Sequence, residues 1–277
     1  MSDMPLVSII VVTYNSAHRL PALAASFDAD PGMAACELIV VDNGSTDTLT
    51  QWLQHAQWLM LPANLGYGSA CNRGAALARG AYVLFCNPDI LVTPYWCQRL
   101  VAHLDAHPSV ACISPETRYP GEDLPLVDGI ADRDTLPGAA LLMRRADWQA
   151  LGGFDEQIFL YWEDTDLCWR AQRAGRRTVV ARDVEITHLR NGSGGGAQTW
   201  LHLYIQNGIY AHLKSQSWAR VVWFVGKQLV ALPLRLIRSG DARLLSAFGW
   251  NIRHCTRTLR CRQHILAGLH VPSKGTP

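Results

Sequence analysis

This 277-residue chain lacks most of the signatures that assign a protein at a glance. No G-x-G-x-x-G turn follows the first apolar run and no G-x-x-x-x-G-K-[ST] occurs anywhere, so neither a dinucleotide fingerprint nor a P-loop is supported. The eight cysteines, at 36, 71, 86, 97, 112, 168, 255 and 261, form no C-x-x-C pair and no metal-ligand spacing. They read as buried thiols of a reducing compartment rather than a zinc site or a disulfide framework. No uncharged apolar run approaches the roughly 18 residues of a spanning helix. The start, MSDMPLVSII, has no basic segment leading into a long apolar one, so a cytoplasmic chain is expected. Internal repeats are also missing.

What is present is 49% hydrophobic residues, enough for one sizeable α/β core with an appendage. The net charge of +2 conceals a split: eleven of the 25 Lys and Arg, but one of the 23 acids, lie from Lys214 onward. A body of −8 therefore carries a tail of +10, which suggests that the tail meets an anionic surface. The expected organisation is a catalytic body over residues 1–213 and a basic amphipathic helical tail over 214–277.

Leu6 to Val12 and Leu38 to Val41 are β-branched runs too short for helices, and both read as buried parallel strands. Helical spacing follows each, over Ala17 to Phe27 and Thr46 to His55. An Ala-rich segment, Gly68 to Arg79, leads into a strand at Tyr82 to Phe85 and a helix from Pro94 to Ala106. This alternation predicts a doubly wound α/β sheet. Pro115 to Thr135 reads as a loop. Leu136 to Arg144 is another apolar run, Asp147 to Leu151 a helical turn, Asp164 to Arg173 an amphipathic helix, Thr178 to Ala181 a strand, and His188 to Gln198 a glycine loop.

Three strand ends then fall on one edge, where ligands of open α/β sheets bind: Thr13-Tyr14-Asn15, Asp42-Asn43-Gly44-Ser45 and Asn87-Pro88-Asp89. Asn-Pro-Asp is also ordinary turn chemistry. Its carboxylate, however, stands just beyond an apolar strand, and a short Asp is the hard oxygen ligand that Mg²⁺ or Mn²⁺ favours.

With these pieces in order, the chain resembles the family 2 glycosyltransferases of the GT-A fold from about Pro5 to about Ser193. The matching segments are PLVSIIVVTYN, LIVVDNGSTD, NLGYGSACNRGAALARG, the Asn-Pro-Asp, LPGAALLMRR, GGFDE, and YWEDTDLCWR followed by His188. It is most similar to the bacterial rhamnosyltransferase-type branch. The resemblance implies a Rossmann-like, mostly parallel sheet with helices on both faces. It also implies transfer of a sugar from a pyrimidine nucleotide diphosphate donor, a dTDP- or UDP-sugar, to a hydroxyl with inversion.

By position the resemblance gives Tyr14 to the base ring and Asp42 to its N3-H, and places Asn64, Gly66 and Arg73 along base and diphosphate. Asn87 stands where the family usually has its first acid, and Asp89 and His188 approach the metal. Arg190 and Ser193 are implied to close over the diphosphate. In the Glu163-Asp164 pair, Asp164 is implied as the general base with Glu163 beside it, while Asp155 and Trp162 mark the acceptor side. Structural readings compete. Tyr14 can be a strand-end core aromatic, Arg73 a solvated helix residue, and acids at a helix start are often caps.

Trp218 to Arg238 mixes Trp218, Trp223, Phe224, Leu229 and Leu232 with Arg220, Lys227, Arg235 and Arg238. Such a helix suits a membrane interface, peripheral at the inner face of the cell membrane, with a lipid-linked glycan as acceptor. Pro233 should kink or end it. A helical hairpin packed on the body, or on a second subunit in a homodimer, is the alternative, and the apolar content argues against nucleic acid. A sugar nucleotidyltransferase would carry a basic glycine-rich loop after the first strand, which TYNSAHRLP is not. A degenerate sugar-binding scaffold is the non-enzyme alternative, motivated by Asn87.

Overall fold

The computed structural model describes residues 5–47, 53, 55–123, 125–189 and 200–266. Val7–Thr13 (β1) is buried at every position, as a strand covered on both faces must be. Cys36–Asp42 (β2) and Tyr82–Cys86 (β4) flank it in parallel, and Gln57–Met60 (β3) adds a parallel edge beyond β2. Beyond β4 the direction reverses. Ala140–Arg144 (β8) runs antiparallel to β4 and to Val110–Arg118 (β6), which pairs in parallel with the long Arg177–His188 (β9). Ile90–Val92 (β5) and Ile130–Asp132 (β7) both run antiparallel to β9.

Alternation along β1 divides the core. Val7, Ile9 and Val11 meet Leu20–Asp28 (α1) and Trp96–Ala106 (α3), while Ile10 and Val12 meet Tyr67–Ala75 (α2), Arg145–Leu151 (α4) and Glu163–Arg173 (α5). Helices therefore cover both faces, as expected. α2 lies close because Gly74 has no side chain: a Cβ there would stand 2.6 Å from Ile10 and 2.9 Å from Val41.

Two departures from the sequence reading matter. The segment 115–135, expected as a loop, holds half of β6 and all of β7. Pro115 is tolerated because the β6–β9 register shifts between Pro115 and Glu116, where a missing donor breaks no regular ladder. β9 runs twelve residues rather than four, because Asp183 is paired with Arg99 and His103 and Glu185 with Arg118. Their charge hides the strand from a hydrophobicity pattern. Residues 48–52 and 54 of the expected Thr46–His55 helix, and the glycine loop from 190, lie outside the described residues.

The C-terminal part is helical. Leu201–Ser215 (α6) lies among Trp218–Ser239 (α7), Arg243–Arg253 (α8) and Cys255–Leu266 (α9), around Ile205, Ile209, Phe224, Leu244 and Ala247. α6 runs across the expected boundary at 213/214. Pro233 does not end α7, since it sits on an exposed side where the carbonyl it leaves unbonded can take water. Among the described residues no helix is long and apolar enough to cross a membrane.

Candidate active site

The parallel register puts Thr13 opposite Asp42, so the β1 and β2 ends form one rim. Tyr14 is exposed there, and Asp42 is buried with Oδ1 accepting from the Ser45 amide at 3.2 Å. Asn15, at φ +48°, donates its amide to Ser45 Oγ and accepts from the Thr46 amide, stitching the two loops. Asn43 Nδ2 donates to Asn64 Oδ1 at 2.9 Å and to the Gly66 carbonyl, while its Oδ1 takes the Leu65 amide. Asn43, Asn64 and Gly66 thus build the wall of this rim, with those amide groups engaged in holding it. Arg73 is exposed on α2.

At the end of β4 the half-buried Asn87 ties its amide to the Ala139 carbonyl. Asp89 is buried, and its two oxygens are divided: Oδ2 meets Arg19 Nη1 at 2.9 Å, Oδ1 meets His188 Nε2 at 3.2 Å. The antiparallel β5–β9 ladder sets Ile90 opposite His188, which explains the second contact. Burial alone would raise the Asp89 carboxyl; His188 and the Arg19 guanidinium outweigh it and hold the group below the usual carboxylate range. Among the described residues no cluster of three or more His, Cys, Asp or Glu could hold a metal alone. Asp89 and His188 still offer one oxygen and one nitrogen side by side, which suits an ion whose remaining ligands come from a diphosphate. Arg190 and Ser193 lie outside the described residues.

The carboxylate pair is sorted by environment. Glu163 is buried toward Gly68 and Phe154, its Oε2 without a hydrogen-bond partner, and burial with help from the neighbouring Asp164 charge pushes its carboxyl up to about 8. Asp164 is also raised by burial, but the Thr165 amide donates to its Oδ1 at 2.5 Å, and it lines a cavity of about 440 Å³ with Thr165, Glu116, Thr117, Tyr119 and Arg133. That volume is typical of small-ligand sites. The Tyr119 ring stands 6.2 Å from that of His188, so the cavity reaches toward Asp89. A Cβ at Gly138 would lie 2.9 Å from Asp164 Oδ2, and the next residue, Ala139, holds Asn87. Asp164 and the strand end are therefore joined through two consecutive residues.

The two residues expected on the acceptor side both make contacts within the fold. Asp155 accepts from the Gln157 amide through Oδ1, and from Lys214 Nζ at 2.5 Å and Tyr210 at 2.8 Å through Oδ2. Burial would raise its carboxyl, yet Lys214 and these hydrogen bonds hold it at about 2. Both of its oxygens are thus engaged by neighbouring groups. Trp162 donates its indole N–H to the Tyr204 carbonyl and packs on Phe224, His212 and Trp169. It caps α5 at φ +77° after Tyr161 at +65°, a strained turn that α6 holds.

Two functional groups escaped the sequence reading. Arg19 carried a signal only as a base in the β1–α1 loop. Lys214, counted with the exposed tail, is 1% exposed and also pairs with Asp166 at 2.6 Å. Asp166 in turn holds Arg170 at 2.9 Å.

The model of the family described as "Glycosyl transferase family 2" matches residues 8–182. An N-acetylglucosaminyl-diphospho-decaprenol L-rhamnosyltransferase of Mycobacterium tuberculosis is 27% identical over 245 residues, covering 70% of this chain and 79% of that protein. The uncharacterized protein y4gI of Sinorhizobium fredii is 27% identical over 237 residues, and the match spans 72% of this chain but only 26% of that relative's length. Among solved structures, the mannosyltransferase PcManGT of Pyrobaculum calidifontis, in complex with GDP-Man and Mn²⁺, superposes with a TM-score of 0.63 at 18% identity, covering 96% of this chain and 86% of that one. With its sheet, its strand-end rim and its sorted carboxylate pair, the chain belongs to glycosyl transferase family 2: it is a glycosyltransferase of the GT-A fold, similar to rhamnosyltransferases.

Proposed function

We propose that the enzyme transfers a sugar, rhamnose in first place, from a dTDP- or UDP-linked donor to a hydroxyl of a glycan or lipid-linked acceptor, with inversion. The observation that carries this reading is the division of labour in the carboxylate pair. Asp164 opens on a cavity and can take the proton of an attacking hydroxyl, while Glu163 is held back in the interior and protonated at neutral pH. Tyr14 offers a stacking face to a pyrimidine, and Asp42 an acceptor for its N3-H.

Asp89 and His188 would hold Mg²⁺ or Mn²⁺, which supplies a Lewis acid for the diphosphate leaving group. The Mn²⁺ in the mannosyltransferase complex supports this, as does the name of the mycobacterial relative for a lipid-linked acceptor and rhamnose.

The same reading gives the basic tail a place at the inner face of the cell membrane. Val222, Val230 and Ile237 recur along α7 on an exposed side with Trp218 and Trp223, whose rings meet Arg262 and Lys227, and Arg220 and Arg238 flank it. Phe224, expected in this interface, is instead buried against Trp162 and His212. α7 thereby touches the turn that carries the base.

A screen of nucleotide sugars with release of nucleoside diphosphate as readout tests the function. Release is expected with a pyrimidine donor and an acceptor glycan, and Asp164→Asn should lower it about 10²- to 10⁴-fold. Undiminished release by Asp164→Asn would remove the base assignment.

A further inference from the structure

Arg19 projects from the loop between β1 and α1 into the donor edge of the sheet, and its guanidinium is buried against a carboxylate that is buried too. Its Nε also donates to His18 Nε2 at 3.2 Å. With His188 on the other oxygen, the Asp89 carboxylate has a partner on each side.

Two consequences follow from charge. A divalent ion arriving alone at Asp89 would place two units of positive charge beside a desolvated guanidinium that shares the same carboxylate. A nucleoside diphosphate arriving with the ion changes the balance, because its oxygens match the planar fork of an arginine as a carboxylate does. Arg19 then has somewhere to go.

We propose that Arg19 is a resident counter-cation that makes the metal site conditional on donor. It neutralises Asp89 in the free enzyme and exchanges that carboxylate for the diphosphate when the donor enters, which frees Asp89 for the ion. This rests on the reading of Asp89 and His188 as ion ligands. The guanidinium is both the obstacle to free Mn²⁺ and a contact for the donor, so ion and nucleotide bind as one unit.

Titration of Mn²⁺ followed by electron paramagnetic resonance tests this on the full chain, with Mn²⁺ alone and with uridine or thymidine diphosphate. The wild type should bind Mn²⁺ weakly alone and much more tightly with either nucleotide. Arg19→Gln should bind Mn²⁺ alone about tenfold tighter or more, as loss of an adjacent positive charge requires, and should lose most of the nucleotide's effect on the ion. Arg19→Lys keeps the charge, so it should bind Mn²⁺ alone as weakly as the wild type, and it serves where Arg19→Gln does not fold.

Mn²⁺ affinity of Arg19→Gln equal to that of the wild type, or tight Mn²⁺ binding by Arg19→Lys alone, overturns the inference while leaving the ion ligands in place. A wild type that binds no Mn²⁺ even with nucleotide present overturns the ligand assignment and the inference with it.

Discussion

Replacing Glu163 by Gln should make the protein more stable at neutral pH and leave it little changed in mild acid. The unfolded chain gives up this proton near the ordinary 4.5, whereas the folded protein keeps it to about 8. Across that window the native state binds more protons, so its stability falls as pH rises. At about 1.36 kcal/mol per pH step, the loss accumulated by pH 7 is on the order of 3 kcal/mol. Glu163 is buried, so solvent screening does little to reduce that figure. An amide of nearly the same shape carries no such penalty. In a chain of this size each kcal/mol moves the melting temperature by about 2–4 °C, so Glu163→Gln should melt about 6–12 °C above the wild type at pH 7 and close to it at pH 5. Thermal melts of both proteins from pH 5 to 8 decide the matter. A difference in Tm that stays constant with pH would refute a buried, proton-holding Glu163. Because the side chain faces inward, the same variant should also retain far more turnover than Asp164→Asn.

Three other outcomes are expected. Asp42→Ala and Tyr14→Ala should each weaken uridine or thymidine diphosphate in calorimetry while purine diphosphates bind poorly throughout; equal affinity for GDP in the wild type would exclude the pyrimidine assignment. Lys214→Met strands Asp155 and Asp166 without their shared cation, so denaturant titration should show a loss of about 3–5 kcal/mol, partly recovered when Asp166→Asn is added. Charge reversal at Arg220, Lys227 and Arg238 should reduce co-sedimentation with anionic liposomes, and Val230→Ser with Ile237→Ser should reduce what survives high salt. Failure of the wild type to bind such liposomes at low salt, with elution as a stable dimer, would transfer that face to a subunit contact.

The sequence was most readable where one strand carries its own evidence. β1, β2 and β4 are runs of β-branched and apolar residues because both of their faces are covered, and their polar ends mark the rim directly. The acids at the start of α5 were legible for a similar reason, since a short stretch holds both the apolar face and the pair. Less legible were features made by partners far apart in the chain. Asp89 looks like an open strand-end carboxylate until Arg19, seventy residues earlier, is brought against it. Lys214 looks like one more tail charge until α6 folds it between Asp155 and Asp166. In β9 and β6 the charged residues that interrupt the apolar pattern find ions on α3 and on the neighbouring strand, so a strand continues where polarity alone suggests a loop.

α5 joins these features. Its first turn follows two left-handed non-glycine residues, Tyr161 and Trp162, a conformation that costs about 1–3 kcal/mol at each position and persists only when neighbours impose it. Those neighbours belong to α6 and α7: Asn207 donates to the Leu160 carbonyl at 2.8 Å, the Tyr204 carbonyl takes the Trp162 indole, and Phe224 packs on the same ring. In that same first turn of α5, Lys214 and Arg170 fix Asp166 from either side. The turn from which Asp164 projects is thus held in part by residues beyond the segment that the family model matches, which ends at 182. The helices after β9 therefore support the turn that carries Asp164, the base under the proposed function, and an exposed face on α7 that met a lipid surface would act on the same turn through Phe224.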